Sequence, residues 1–275
     1  MTAFAQGRGY RLAVEAQPVR GTAGERFGKG TGSSMEFQEF RDYQAGDDLR
    51  HIDWRAYART QTLTTRLYRE EIAATVELVV DGSRSMALRP EKLQRLQELA
   101  AFLAGAASGD ASLRSFHARD ALVPVEISAW QADEELSCDG AQSLADLSLA
   151  GALRAGTVRV ILSDFLFPCD ARALIKRLQG RAHRLVLLQL LDEAERDPRL
   201  QGNVRLLEVE TGKARELPVD DGTVRRYIER LERHCRGLAE EAQRAGVVFL
   251  QLNASDPLDA IVRETLIPAE VVAPR

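Results

Sequence analysis

Two short apolar runs that each end in an aspartate constrain this chain more than any other feature. TVELVVD ends at Asp81 and VRVILSD ends at Asp164. Unbroken stretches of β-branched and leucine residues mark strands covered on both faces, the condition of a central strand in a parallel sheet. RLVLLQLLD and VVFLQLN repeat the pattern, and amphipathic stretches lie between them. After GSRSMALR, Pro90 suits a first helical turn, and Leu93, Leu96, Ala100, Leu103 and Ala107 recur at helical spacing before Gly109. Further helices are predicted over 144–153, 169–178, 221–245 and 257–266. The longest carries Val224, Tyr227, Ile228, Leu231, Leu238 and Ala242 on one stripe. Shorter strands are predicted over 111–116 and 121–127, and a hairpin turning at Thr211-Gly212-Lys213. Strands alternating with helices in this way specify an α/β, Rossmann-like fold, with a mainly parallel sheet flanked by helices.

Upstream of Thr75 the pattern is different. GTAGERFGKGTGSS, residues 21–34, is a glycine-rich loop, Tyr43 to Asp48 forms a turn signal, residues 63–68 read as a strand, and no helical period is evident. The expected organisation is an N-terminal charged and aromatic segment, 1–72, and one main domain, 73–275. A net charge of -4 argues against a general nucleic-acid binder. The most charge-dense stretch, 25–71, balances eight Lys/Arg against nine Asp/Glu, which suits internal pairing or a protein partner. No apolar stretch approaches the ~18 residues of a spanning helix, and the N-terminus lacks the features of a secretory signal. A cytoplasmic protein without membrane insertion is expected. Cys138, Cys169 and Cys235 are far apart and read as free thiols.

In an open parallel sheet, ligands bind beyond the carboxyl ends of the strands, where Asp81 and Asp164 both fall. Asp81, Ser83 and Ser85 alternate along a loop whose Gly82 permits a tight turn, and so can gather several oxygens around one point. Oxygen ligation suits a hard cation such as Mg²⁺. The same residues equally suit helix capping and turn formation.

The loop DGSRSM resembles the D-x-S-x-S metal-ion-dependent adhesion site of von Willebrand factor type A domains. That resemblance implies a type A-like fold and a divalent ion, Mg²⁺, held by Asp81, Ser83, Ser85 and a later strand-end aspartate, Asp164. It also implies a loop threonine. Here the corresponding loop reads Asp139-Gly140-Ala141-Gln142-Ser143-Leu144, so Ser143 can stand in only if the loop shifts by one residue, and metal affinity is weakened accordingly.

The segment EFQEFRDYQAGDDLRHIDWRAYAR resembles the signature of the bacterial domain of unknown function 58 family, through Glu36, Phe37, Arg41, Tyr43, Gly46, Asp47, Asp48, Arg50, Ile52, Asp53, Trp54, Ala58 and Arg59. The resemblance covers nearly the whole chain and points to the family's short branch without membrane helices. It implies partnership with a MoxR-type AAA+ ATPase in assembling or activating a client protein, and carries no established enzymatic activity. Arg41, Tyr43, Asp47, Asp48, Arg50, Asp53 and Trp54 are the candidate interaction residues. Their interleaved arginines and aspartates suit bidentate pairing, either as a structural clasp or as a binding surface.

Enzyme readings fare less well. A haloacid dehalogenase-type phosphatase needs an acid where Ser83 stands, SRSM lacks the glycines of a nucleophile elbow, and GKGTGSS does not follow a strand as a phosphate loop does. His51, His117, His183 and His234 read as surface or capping residues. The alternatives retained are a metal-dependent hydrolase of phosphate esters, acting through the oxygen-rich loop, and a purely structural scaffold.

Overall fold

A computed structural model describes residues 2–13, 35–44, 52–70, 74–109, 111–132, 134–149, 151–209 and 212–275. The chain divides into two compact units, Met1–Val14 with Ala74–Arg275, and Glu15–Ala73.

The larger unit is built on a six-stranded sheet. Its strands are β4 (Thr75–Asp81), β5 (Ser112–Ala118), β6 (Leu122–Val125), β7 (Val158–Ser163), β8 (Arg184–Leu191) and β11 (Val248–Asn253), in the spatial order β11-β8-β7-β4-β5-β6. Every neighbour pair is parallel except β5 with β6, a short antiparallel edge. The α/β class and the mainly parallel sheet expected of a type A-like domain are therefore both present. Numbered by appearance within the sheet, the order is 6-5-4-1-2-3, and the direction of growth reverses between β4 and β7. A reversal of this kind, beyond the carboxyl ends of the strands, is the usual place for a crevice and a site in such sheets.

Alternation along β4 fills both faces. Val76, Leu78 and Val80 join the layer formed with α3 (Pro90–Ala107) and α8 (Leu258–Ile261), whereas Val79 packs with α5 (Ala171–Gln179) and α7 (Asp221–Arg244). Glu77 also points inward and is fully buried. In register with it on the two neighbouring strands stand Arg114 and Arg159. Arg114 Nη1 donates to Glu77 Oε1 at 2.7 Å and Arg159 Nη2 to Oε2 at 2.8 Å, while the Arg154 backbone N–H and the Thr157 hydroxyl occupy the remaining lone pairs. Arg159 also donates to the carbonyls of Leu178 and Gln179, so one carboxylate anchors the lead-in to β7 and the end of α5 together.

Three sequence expectations are corrected. Residues 2–13 do not belong with the N-terminal segment: α1 (Ala3–Gly7) lies on α3, and β1 (Tyr10–Leu12) pairs with β12 (Val272–Pro274). Gly7 and Gly105 make this crossing close, since a Cβ on Gly105 would sit 2.2 Å from the Phe4 carbonyl oxygen. The stretch 144–153 is not a helix but a series of turns. His117, on β5, is buried at 5% exposure, because the edge hairpin places it beneath the loop after β4.

In the smaller unit, β2 (Met35–Asp42) and β3 (Thr64–Glu70) pair antiparallel, and α2 (Trp54–Thr60) lies between them in sequence. No helical period announces α2. It is set by a cap, with Asp53 Oδ1 accepting from the Arg55 and Ala56 backbone N–H groups at 3.0 and 3.1 Å. Further elements of the larger unit are α4 (Ile127–Ala132), α6 (Glu193–Arg196) and the hairpin β9 (Gly202–Leu207) with β10 (Ala214–Val219). The predicted turn residue Thr211 lies outside the described residues.

Candidate functional site

The crevice at the β4/β7 reversal is lined by four segments. The first is Asp81 to Ser85, which leaves β4 and enters a 3₁₀ turn over Arg84–Ala87. Asp81 is buried, and its Oδ1 accepts from the Ser83 backbone N–H at 2.9 Å, closing the loop on itself. The Ser83 and Ser85 hydroxyls lie 3.1 Å apart. Gly82 is required here, because a Cβ would come within 2.3 Å of His117 Nε2.

The second segment follows β7. Ser163 donates its hydroxyl to Asp81 Oδ2 at 2.5 Å, and its Oγ also accepts from the Phe165 N–H at 3.0 Å. Asp164 is buried, its Oδ1 accepting from the Leu166 N–H at 3.0 Å. Phe165 is wholly buried with φ of +52°, a left-handed conformation unfavourable for an aromatic residue. His234 of α7 contacts the Phe165 carbonyl at 2.7 Å, and Gln189 of β8 donates to the Asp164 carbonyl at 2.8 Å. This strained turn is thus over-determined by its surroundings, a condition found often at functional sites.

The third segment is the loop after α4. Gly140 forms an isolated parallel bridge with Ser83, through Arg84 N–H to Gly140 O at 3.1 Å and Gly140 N–H to Gly82 O at 3.0 Å. A Cβ on Gly140 would approach the Arg119 Cα to 2.7 Å, so only glycine permits the contact. Ser143, the expected stand-in for the loop threonine, donates its hydroxyl to Asp146 Oδ2 at 2.7 Å and caps the following turn. This loop meets Ser83 through the Gly140 backbone, while the Ser143 hydroxyl is engaged with Asp146.

The fourth contribution comes from a residue the sequence reading passed over. Lys92, in the first turn of α3, has no solvent exposure. Its ammonium donates to Asp164 Oδ2 at 2.9 Å, to Glu195 Oε1 at 2.7 Å and to the Ser85 carbonyl at 3.3 Å. All three of its N–H groups are used. Glu195 belongs to α6, where its other oxygen accepts from the Asp192 N–H as half of a capping box. The signal was present: Lys92, Leu96, Leu99, Leu103 and Ala106 are all buried at helical spacing, so the lysine occupies an apolar-stripe position.

Burial, and then the Asp164 charge, push the Asp81 carboxyl up to about 6, against the hydrogen bonds from Ser163 and Ser83. Burial alone would lower the Lys92 pKa, but the carboxylates of Asp164 and Glu195 outweigh it and the net shift is upward. Burial, reinforced by Arg119, lowers His117 to about 4, so its imidazole is neutral at pH 7.

Asp81, Ser83, Ser85 and Asp164 are thus brought together as the spacing implies, but the arrangement does not fit a divalent ion. An ion bound to Asp164 Oδ2 with ordinary oxygen distances would sit within about 5 Å of the Lys92 nitrogen. At an effective dielectric constant of ~20, repulsion between a dication and an ammonium at that separation is about 7 kcal/mol, set against the attraction of the Asp81 and Asp164 carboxylates, whose four oxygens already accept hydrogen bonds from the protein.

In the smaller unit, Asp53 is buried as the α2 cap, whereas Trp54 is 58% exposed and packs edge-on to Tyr57 with ring centroids 6.3 Å apart. Arg41 reaches Gln44 at 3.4 Å, and the Tyr43 N–H donates to the Leu63 carbonyl at 2.9 Å. Asp47, Asp48 and Arg50 lie outside the described residues. Among the described residues no helix is long and apolar enough to cross a membrane.

Several known proteins resemble this chain. Uncharacterized protein Mb1516 of Mycobacterium bovis and Uncharacterized protein Rv1480 of Mycobacterium tuberculosis are each 26% identical over 260 residues, covering 87% of this chain and 81% of theirs. Among solved structures, the conserved hypothetical protein BatB of Bacteroides thetaiotaomicron aligns with a TM-score of 0.40 at 10% identity, over 71% of this chain and 98% of its own. A von Willebrand factor type A protein of Catenulispora acidiphila aligns with a TM-score of 0.32 at 15% identity, over 47% and 36%. Residues 39–237 match the family described as "Protein of unknown function DUF58", spanning most of the signature segment and of the sheet, and the chain belongs to that family.

Proposed function

We propose that this protein is a non-catalytic interaction module that docks a partner on the rim of the β4/β7 crevice. The observation that carries this reading is the contrast between the crevice floor and its edge. Asp81 and Asp164 are buried, and each of their carboxylate oxygens accepts a hydrogen bond from the fold, an arrangement suited to holding a loop rather than to acid–base turnover. The loop they hold presents Leu88 at 53% exposure, between the exposed Arg84 and Arg89. Arginine is enriched at binding hot spots, and an exposed apolar side chain beside Arg84 on a rigid turn offers an acidic, apolar segment a contact of each kind.

The family resemblance supports a MoxR-type AAA+ ATPase as that partner, with the pair assembling or activating a client protein. Leu88→Asp tests this by reversing the chemistry of the rim without touching the floor. Titration calorimetry against such an ATPase should give saturable binding by the wild type and at least ~tenfold weaker binding by the variant, with unchanged circular dichroism. Equal affinity of both proteins would remove the rim from the account, and no binding by either would remove the ATPase.

A further inference from the structure

We propose that the Lys92 ammonium is the resident cation of the D-x-S-x-S loop in this protein, standing where related loops hold a divalent ion and making the loop metal-independent. The inference rests on the geometry of the crevice and not on the identity of any partner.

Three features support it. First, the ammonium bridges groups that lie far apart in sequence: the Ser85 carbonyl in the loop after β4, Asp164 after β7, and Glu195 in α6. Linking a loop carbonyl to a strand-end aspartate is the structural work a bound dication would otherwise do. Second, the residue type is selective. The chain has 37 basic side chains, of which four are lysines, Lys29, Lys92, Lys176 and Lys213, and one of these few is placed here. A guanidinium is a planar fork matched to one carboxylate, whereas an ammonium is a compact charge with three divergent donors, able to take three oxygens from three directions as a small ion does. Where the fold needs a planar bridge, between Glu77 and the α5 carbonyls, it uses Arg159. Third, the position is unfavourable for a lysine on helical grounds. Lys92 is the third residue of α3, where the positive end of the helix dipole repels a cation, and it lies on the buried face. Its carboxylate partners account for its presence there, as helix propensity and burial do not.

Two measurements on the full chain test this together. In the first, Mn²⁺ binding is followed by electron paramagnetic resonance and thermal stability is compared in Mg²⁺ and in sodium chloride of equal ionic strength. The wild type should bind no Mn²⁺ at the loop and show no Mg²⁺-specific change in Tm. Lys92→Met should acquire a site, with at least ~hundredfold higher Mn²⁺ affinity than the wild type and a Tm raised by Mg²⁺. Because that variant leaves buried carboxylates unneutralised, Lys92→Met/Glu195→Gln is measured beside it. In the second, nitrogen-15 NMR of the lysine ammonium groups should show one slowly exchanging signal among the four lysines, lost in Lys92→Met. Wild-type Mn²⁺ binding that Asp81→Asn abolishes would overturn the proposal. So would failure of the folded variants to gain a site, or rapid exchange of all lysine ammonium protons.

Discussion

Removing the Glu77 carboxylate should be among the most damaging single changes available to this fold, for reasons separable from the site. In Glu77→Ala the strand keeps its apolar residues, but Arg159, whose side chain is 3% exposed, keeps its charge with no carboxylate. The Arg154 N–H and Thr157 hydroxyl each lose an acceptor. Breaking one side of a buried ion pair costs about 3–5 kcal/mol. For a unit of this size each kcal/mol lowers Tm by roughly 2–4 °C, so the expected fall is roughly 6–20 °C. Urea melts followed by far-ultraviolet circular dichroism would report the loss. The double variant Glu77→Leu/Arg159→Met should be more stable than the sum of its singles predicts by at least ~1 kcal/mol, because the second change removes the stranded charge. Strict additivity, or a loss below ~1 kcal/mol for Glu77→Ala, would show that the carboxylate is not the anchor described above.

Two further outcomes follow from the site and from the N-terminus. Asp81 rises from about 3.8 to about 6 on folding, so its contribution to stability is complete below 3.8 and is lost as pH climbs through 6, about 3 kcal/mol in all. His117 falls from about 6.5 to about 4, so its contribution is complete above 6.5 and is lost, again by about 3 kcal/mol, as pH drops through 4. The two oppose each other in one window. Relative to wild type, Asp81→Asn should therefore gain stability from pH 4 to 6.5 and His117→Gln should gain it in the reverse direction, and urea melts running parallel to wild type across that range would contradict both assignments. Gly105→Ala should push α1 off α3, at a cost of about 1–3 kcal/mol, and expose the first dozen residues to limited proteolysis; an unchanged digestion pattern would mean the crossing tolerates a methyl group.

The sheet was legible because its central strands are covered on both faces, and continuous apolar runs carry that information locally. TVELVVD, VRVILSD and RLVLLQLLD fall on β4, β7 and β8 almost residue for residue. The elements that escaped notice are fixed by contacts distant in sequence or by single caps. α2 depends on Asp53, β1 on pairing with β12 at the opposite end of the chain, and α1 on two glycines nearly a hundred residues apart. The 144–153 stretch had apolar spacing, but Leu144 and Leu147 are buried from turns, so spacing alone misled. At the site, Asp81, Ser83, Ser85 and Asp164 follow from strand ends and loop spacing. Lys92 does not, because lysine near a helix start is ordinarily solvated, and only the register of the buried stripe distinguishes it.

The most direct test of the docking face is a hydrogen–deuterium exchange footprint of the wild-type protein, free and saturated with the AAA+ partner. Added protection should concentrate in peptides covering 82–89 and 139–143, the two loops joined by the Ser83–Gly140 bridge. Protection confined to the hairpin unit, 35–70, with the crevice loops exchanging as in the free protein, would contradict the account.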